Sequence, residues 1–336
     1  MNRSNITVPG PLVVASAPAI GMCRIGILIS SFILNFTVLS VYILRPKMRT
    51  PFAVYIISLL ISNILDLLLY FPFMIANNIG TDTNHFVFGE TGCSVFGYGV
   101  SISRAFCLCS HALITLNRIW AMTFPISYKN LHGYRFAVML CSGVFIAIHA
   151  LMIQGLVLSE RSRPRPVEKW GCWYQVRTGS VANSIGFHLF YTAPVLIVAT
   201  YPYLFFKYLQ TKKRIMAQDG HHGLHDKTVN KTFGIVSMLS LCTIICWVPE
   251  DVVTVLMNNT GSRAIIRSYP IVSLISSFQV LLDPLFLLIS SKELRYGLMS
   301  IVCRRRFMAD RAVSVKMMTS ARSNTKPVRP TSSTKF

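Results

Sequence analysis

Charge is what this sequence has least of. Only 13% of its 336 residues are Asp, Glu, Lys or Arg, against about 25% in an ordinary soluble domain. Acids are scarcest, 12 Asp+Glu against 33 Lys+Arg. So little charge beside 52% hydrophobic residues excludes an ordinary water-soluble enzyme and a disordered tail protein. Tandem repeats, His-Glu-x-x-His and zinc-ligand spacings are all missing, which removes repeat arrays, zinc peptidases and zinc-finger readers of nucleic acid. Strand-like alternation is missing too, and with it a membrane β-barrel.

What is present is a set of apolar runs. A membrane-crossing helix needs roughly 20 mostly apolar residues, and seven runs qualify: 25–44, 52–75, 95–116, 136–158, 182–206, 232–257 and 269–291. Three of them, 25–44, 136–158 and 182–206, contain no Asp, Glu, Lys or Arg. The fold expected is an all-α membrane protein, a seven-transmembrane helix bundle with a short amphipathic eighth helix. The divisions are a tail 1–20, a bundle 21–291, a membrane-surface helix 292–303 and a disordered, basic tail 304–336.

The basic residues give the direction. Twenty-two lie in loops 45–51, 126–135, 207–231 and beyond 291, and nine lie on the other side. The richer side is expected to be cytoplasmic, which places the N-terminus outside and the C-terminus inside. Asn2 and Asn5 begin glycosylation sequons in the outer tail, and Asn258 begins another in an outer loop. No cleavable signal peptide is evident, so the first span is expected to act as the targeting signal. The net charge of +21 then faces anionic lipid, and nucleic acid is not an expected partner.

Nine cysteines is an odd number, so at least one is unpaired. Cys107, Cys109, Cys141, Cys242 and Cys246 fall within spans, where Cys usually packs as a small hydrophobe. Cys93 and Cys172 fall on the oxidising side and are expected to form a disulfide, with Cys23 as a competitor. Cys303 precedes Arg304-Arg305-Arg306 and is a palmitoylation candidate.

Seven spans, an outside N-terminus and this cysteine pair resemble the rhodopsin-like (class A) G-protein-coupled receptors, in a divergent form. Asn35 and Pro51 fit the pattern of the first two spans, and Ser58 to Asn63 aligns with the second-span motif. Cys93 stands 25 residues before Arg118, as the family's disulfide Cys does before its Arg. Asn117-Arg118-Ile119 is similar to the Asp-Arg-Tyr motif, with Pro125 following, and Pro194 falls in span five. Cys246-Trp247-Val248-Pro249 is the sixth-span motif in full, and Asp283-Pro284 begins a variant of the seventh-span Asn-Pro-x-x-Tyr motif. The resemblance covers about residues 20–303. The departures are Asn117 for the acid, Phe145 for Trp, Pro202 for Tyr, Thr243 for Phe and Leu287 for Tyr.

The resemblance implies a receptor whose sixth span bends at Pro249 and swings outward, with Arg118 as a contact for a heterotrimeric G protein. Proline removes one helical hydrogen bond, so a kink there also has a physical cause. Asn117 offers a weaker restraint on Arg118 than an acid does, and raised basal signalling is expected. A static kink and an Arg118 that only reaches headgroups are the plainer readings. The family's Asp in span two and Asn in span seven are exchanged here as Asn63 and Asp283. Asp283 is a candidate for holding sodium or a proton, or it simply joins helices. No other metal and no cofactor is expected.

Charges inside the membrane should face the bundle interior. Asp66, Arg104, Glu250 and Asp251 fall at similar depths, with Glu250 and Asp251 one turn past Trp247. Arg104 is expected to pair with Glu250 or Asp251, or else with Asp66. These five residues are the candidate ligand pocket, and a ligand-independent salt-bridge network is the alternative. Val100 and Ser277 occupy the positions where amine receptors carry Asp and opsins the retinal Lys, so neither ligand class fits. The short outer tail favours a small molecule or short peptide, and the loop 159–180 offers Arg161, Arg163, Arg165, Lys169, Trp170 and Trp173 to it or to headgroups. The cytoplasmic tail has Ser/Thr at nine positions between 314 and 334, a possible arrestin signal once phosphorylated. Rival readings are a seven-span ligand binder without G-protein coupling, a transporter, for which no internal symmetry is seen, and an intramembrane enzyme, for which no catalytic set is seen.

Overall fold

The computed structural model describes residues 17–79, 88–157, 165–167, 171–173, 195–197, 199–200, 202–203, 205–210, 213, 223–260 and 263–302. Among them, six helices are long and apolar enough to cross a membrane. Span one is Ala17–Leu44, span two Pro51–Leu69 continued by Phe71–Ile79, and span three Gly89–Thr123. Span four is Tyr134–Val157, span six Gly223–Thr260, and span seven Arg263–Ser277 followed by Gln279–Ser290. Residues described between 195 and 210 are helical and belong to the fifth run. Lys292–Val302 is the surface helix.

Local chemistry sets the ends. Thr50 caps span two by accepting a hydrogen bond from the Ala53 N–H at 3.2 Å, with Pro51 preset at the first helical position. Pro125 likewise opens a short helix, Pro125–Leu131, between spans three and four. Pro249 lies inside the sixth helix and Pro284 inside the second half of the seventh. Span seven is interrupted at Phe278, whose N–H bonds the Ile275 carbonyl at 3.1 Å.

Span one starts earlier than the apolar run suggests. Its helix begins at Ala17, so Arg24 lies within the bundle, fully buried, instead of in an outer loop. A run read by its lack of charge stops at the first arginine, even where that arginine turns inward. Two short strands, Arg165–Val167 and Gly171–Trp173, pair antiparallel with Pro166 opposite Cys172. They lie against span three. Three residues are too few to display a strand period, which is why alternation was silent here.

The burial pattern is inverted relative to a soluble protein. Ile33, Phe36, Met139 and Ile146 are 58–65% exposed, while Ser31, Asn35, Ser62, Asn63, Ser103, Ser110 and Asp283 are buried. Hydrocarbon solvates the apolar exterior, and polar groups satisfy one another inside. The surface helix docks back on span one: Leu294 is buried, and Arg45 at the end of span one donates to the Ser300 hydroxyl.

Candidate functional site

Polar side chains gather at three levels of the bundle. The first level holds Arg104. Its Nη1 lies 2.8 Å from Glu250 Oε1, and Tyr269 Oη donates to the same oxygen at 3.4 Å. The guanidinium stands over the rings of Tyr70, at 4.5 Å, and Trp247, at 5.2 Å. Of the three acids expected as partners, Glu250 is the one that pairs. Asp66 instead accepts a hydrogen bond from Ser103 Oγ at 2.7 Å, and Asp251, the residue after Glu250 on span six, is half-buried. Glu250 Oε2 and Trp247 Nε1 are buried without a hydrogen-bond partner among the described residues.

Arg24 belongs to this level and was missed as a site residue. Its Nη2 donates to Ser273 Oγ at 2.9 Å, which also meets Tyr70 Oη at 3.0 Å. Its guanidinium is 5.9 Å from the Tyr70 ring. Two arginines therefore flank Tyr70, where one was expected at this level. The signal was available as a lone arginine seven residues into the first helix.

The second level holds Asp283. Asn63 Nδ2 donates to Asp283 Oδ2 at 3.2 Å and to Asn35 Oδ1 at 3.3 Å, and Asn35 Nδ2 donates to the Val280 carbonyl at 2.8 Å. Asn63 and Asp283 thus face each other across spans two and seven. Three further residues converge here. His111 Nε2 is 3.2 Å from Asp283 Oδ2, the Gln279 amide is 2.6 Å from that same nitrogen and 3.3 Å from Thr243 Oγ1, and the Cys107 thiol donates to Asn63 Oδ1 at 3.5 Å. Cys107 had been read as a small hydrophobe. A histidine in an apolar run was the signal that pointed here.

The third level holds Asn117 and Arg118. Asn117 Nδ2 donates to His132 Nε2 at 2.8 Å, Tyr55 Oη meets that nitrogen at 2.9 Å, and Tyr128 Oη donates to Asn117 Oδ1 at 3.3 Å. His132 stacks on Tyr128 with centroids 4.4 Å apart. Burial, and then the positive charge of Arg118, hold the His132 imidazole below its ordinary 6.5. A neutral ring fits these contacts, since Nε2 must accept from the Asn117 amide. Arg118 lies over the Phe52 ring at 3.2 Å, its Nε has no partner, and it has no ion pair among the described residues. Nearby, Thr123 Oγ1 meets Tyr203 Oη at 3.1 Å, tying span three to the fifth run.

Pro249 and Trp247 sit on span six between the first two levels, and Pro284 follows Asp283. Cys23 is a free thiol on the exposed face of span one. The side chains of Cys93 and Cys172, and the whole of Asn2, Asn5 and Cys303, lie outside the described residues.

Residues 34–287 match the model of a family described as the 7 transmembrane receptor (rhodopsin family). Rhodopsin of Galeus melastomus is 22% identical over 284 residues, covering 82% of this chain and 78% of the relative. Rhodopsin of Gallus gallus is 22% identical over 280 residues, covering 82% and 79%. A blue-sensitive opsin of Conger conger is 24% identical over 228 residues, covering 66% and 63%.

Proposed function

The chain belongs to the rhodopsin family of seven-transmembrane receptors, and from that membership we propose that it binds an extracellular small molecule or short peptide and activates heterotrimeric G proteins through movement of its sixth span. It is a multi-pass membrane receptor and not an enzyme. The ligand pocket in this reading is the Arg104 level. The observation that carries it is the Arg104–Glu250 pair seated between the Trp247 and Tyr70 rings. That pair links span three to span six one residue from Pro249, so a ligand that competes for Arg104 or Glu250 changes the force on the bend.

Asp66 and Asp251 supply the remaining negative charge of the pocket. The matched relatives are opsins by name, but Ser277 stands at the position of the retinal lysine and has no amine to form a Schiff base. A diffusible ligand suits this pocket better than retinal.

At the far end, Asn117 and Arg118 form the G-protein-facing switch, and Asn63 on span two with Asp283 and Pro284 on span seven take part in it, with Asp283 responsive to a bound cation or proton. The N-terminus is outside and the C-terminus inside the plasma membrane. A Cys93–Cys172 disulfide holds the outer loop, Asn2 and Asn5 carry glycans, Cys303 carries palmitate, and the phosphorylated tail recruits arrestin.

The test is a screen of amines, short peptides and lipids with a G-protein-proximal readout, followed by Arg104→Met. The half-maximal concentration of the active ligand should rise at least about tenfold, the loss of one charge-assisted contact. Unchanged potency at equal surface expression removes the pocket. A second reading, ligand binding without coupling, is favoured by the replacement of the acid beside Arg118 with Asn117.

A further inference from the structure

Four side chains that play no part in the Arg104 level converge on one spot between spans three and seven. Cys107 Sγ, a ring nitrogen of His111 and a carboxylate oxygen of Asp283 lie within 4.8 Å of one another, and all three residues are buried. Cys107 and His111 are four apart on one helix, the spacing that puts two ligating side chains on one face. Gln279, also buried, already stands 2.6 Å from His111 Nε2.

Two acceptor oxygens at this spot have no donor among the described residues: Asp283 Oδ1 and Gln279 Oε1. Buried acceptors without donors are costly. Turning the Gln279 amide over about its last bond carries Oε1 to the place beside His111 Nε2. The spot then offers a sulfur, an imidazole nitrogen, a carboxylate and an amide oxygen, and its unmet need is positive charge.

We propose that Cys107, His111 and Asp283, with Gln279 Oε1 as the fourth donor, form a transition-metal site that takes Zn2+ and ties span three to span seven. Sulfur and nitrogen donors select zinc, whereas calcium and magnesium take sets of oxygens and more ligands. Zinc bonds of 2.0–2.3 Å put tetrahedral ligand atoms roughly 3.5 Å apart. His111 and Asp283 are already 3.2 Å apart, Cys107 closes by about an ångström, and Gln279, now 2.6 Å from His111 Nε2, draws back by about as much. A Cys107 thiolate and the Asp283 carboxylate together cancel the charge of a divalent ion, which leaves the interior neutral. Binding forms the Zn–S bond as the Cys107 thiol gives up its proton to solvent, one proton per ion, with a second released where His111 carries one. Asn63, donating to Asp283 Oδ2, orients the carboxylate from outside the coordination sphere. The proposal stands on this cluster and not on the receptor reading.

The experiment uses the full-length protein in nanodiscs, stripped by a chelator and dialysed. Zn2+ is titrated against thermal unfolding, with Na+ and Mg2+ as controls, and Co2+ is added as an absorbing substitute. Zn2+ at micromolar levels should raise the unfolding midpoint where Na+ and Mg2+ do not, and Co2+ should give tetrahedral d–d bands with a thiolate charge-transfer band. Cys107→Ala and His111→Phe should each weaken zinc binding more than about a hundredfold, beyond the range of an outer-shell change. Cys107→Ser keeps the packing and should still lose the charge-transfer band. The Cys242→Ala/Cys246→Ala variant, which removes a neighbouring thiol pair with sulfurs 3.9 Å apart, should bind zinc unchanged. No zinc effect, an effect that survives Cys107→Ala, stabilisation matched by Na+, or binding that vanishes with Cys242 and Cys246 overturns the site.

Discussion

Asn117 Nδ2 donates to His132 Nε2 across 2.8 Å, so the residue beside Arg118 holds a loop histidine instead of the arginine. Tyr55 and Tyr128 complete the clasp from span two and from the helix Pro125–Leu131. The polar side chain next to Arg118 is therefore occupied, and Arg118 rests on Phe52.

This clasp has a pH dependence with a definite sign. His132 is held below its ordinary 6.5, so the folded state binds fewer protons there than the unfolded chain. His132 costs nothing above 6.5 and destabilises progressively as pH falls from 6.5 through its lowered folded value. The thermal midpoint should fall over that window, and His132→Gln should flatten part of the fall. An identical slope in the variant contradicts the clasp.

Asn117→Asp places a carboxylate beside both His132 and Arg118. Basal signalling should drop at equal surface expression, and the His132 titration should move upward, because the new charge favours the imidazolium. Ligand-free second-messenger output and histidine NMR check the two halves separately. Unchanged basal output sinks the idea that Asn117 loosens the restraint on Arg118.

The Arg104–Glu250 pair is nearly buried, with side chains 13% and 3% exposed. Removing one partner strands the other, at a cost of about 3–5 kcal/mol. Arg104→Met and Glu250→Leu should each destabilise strongly, and the double variant should cost less than the sum. Additive losses in a double-mutant cycle show that the two do not interact.

Much of this was legible beforehand because membrane solvation is severe. Runs of apolar residues mark the spans, and the few charges must turn inward, which points to Arg104 and Glu250, while Asn63 and Asp283 stand out through the resemblance to the family's motifs. Arg24 escaped because an arginine near a helix start reads as a loop charge. His111, Cys107 and Gln279 escaped because a sequence shows which face of one helix is polar, and not which polar groups from three helices meet. His132 and Tyr55 are 77 positions apart, a pairing made by the packing of the loop against span two.

Gly297 packs the surface helix against Val41 of span one. A Cβ added there lies 2.7 Å from Val41 Cγ1. Gly297→Ala should cost about 1–3 kcal/mol, the range for overpacking, and Val41→Ala should restore most of it. Thermal unfolding of the single and double variants checks this, and no rescue places the cost elsewhere.

The central claim is that this bundle passes a signal to G proteins through a switch built on Arg118 and Asn117. The most direct measurement is guanine-nucleotide exchange in membranes, without ligand, against each G-protein class in turn. The account predicts exchange above receptor-free membranes for at least one class, lowered by Asn117→Asp and lost in Arg118→Ala at equal expression. Exchange equal to receptor-free membranes for every class contradicts it.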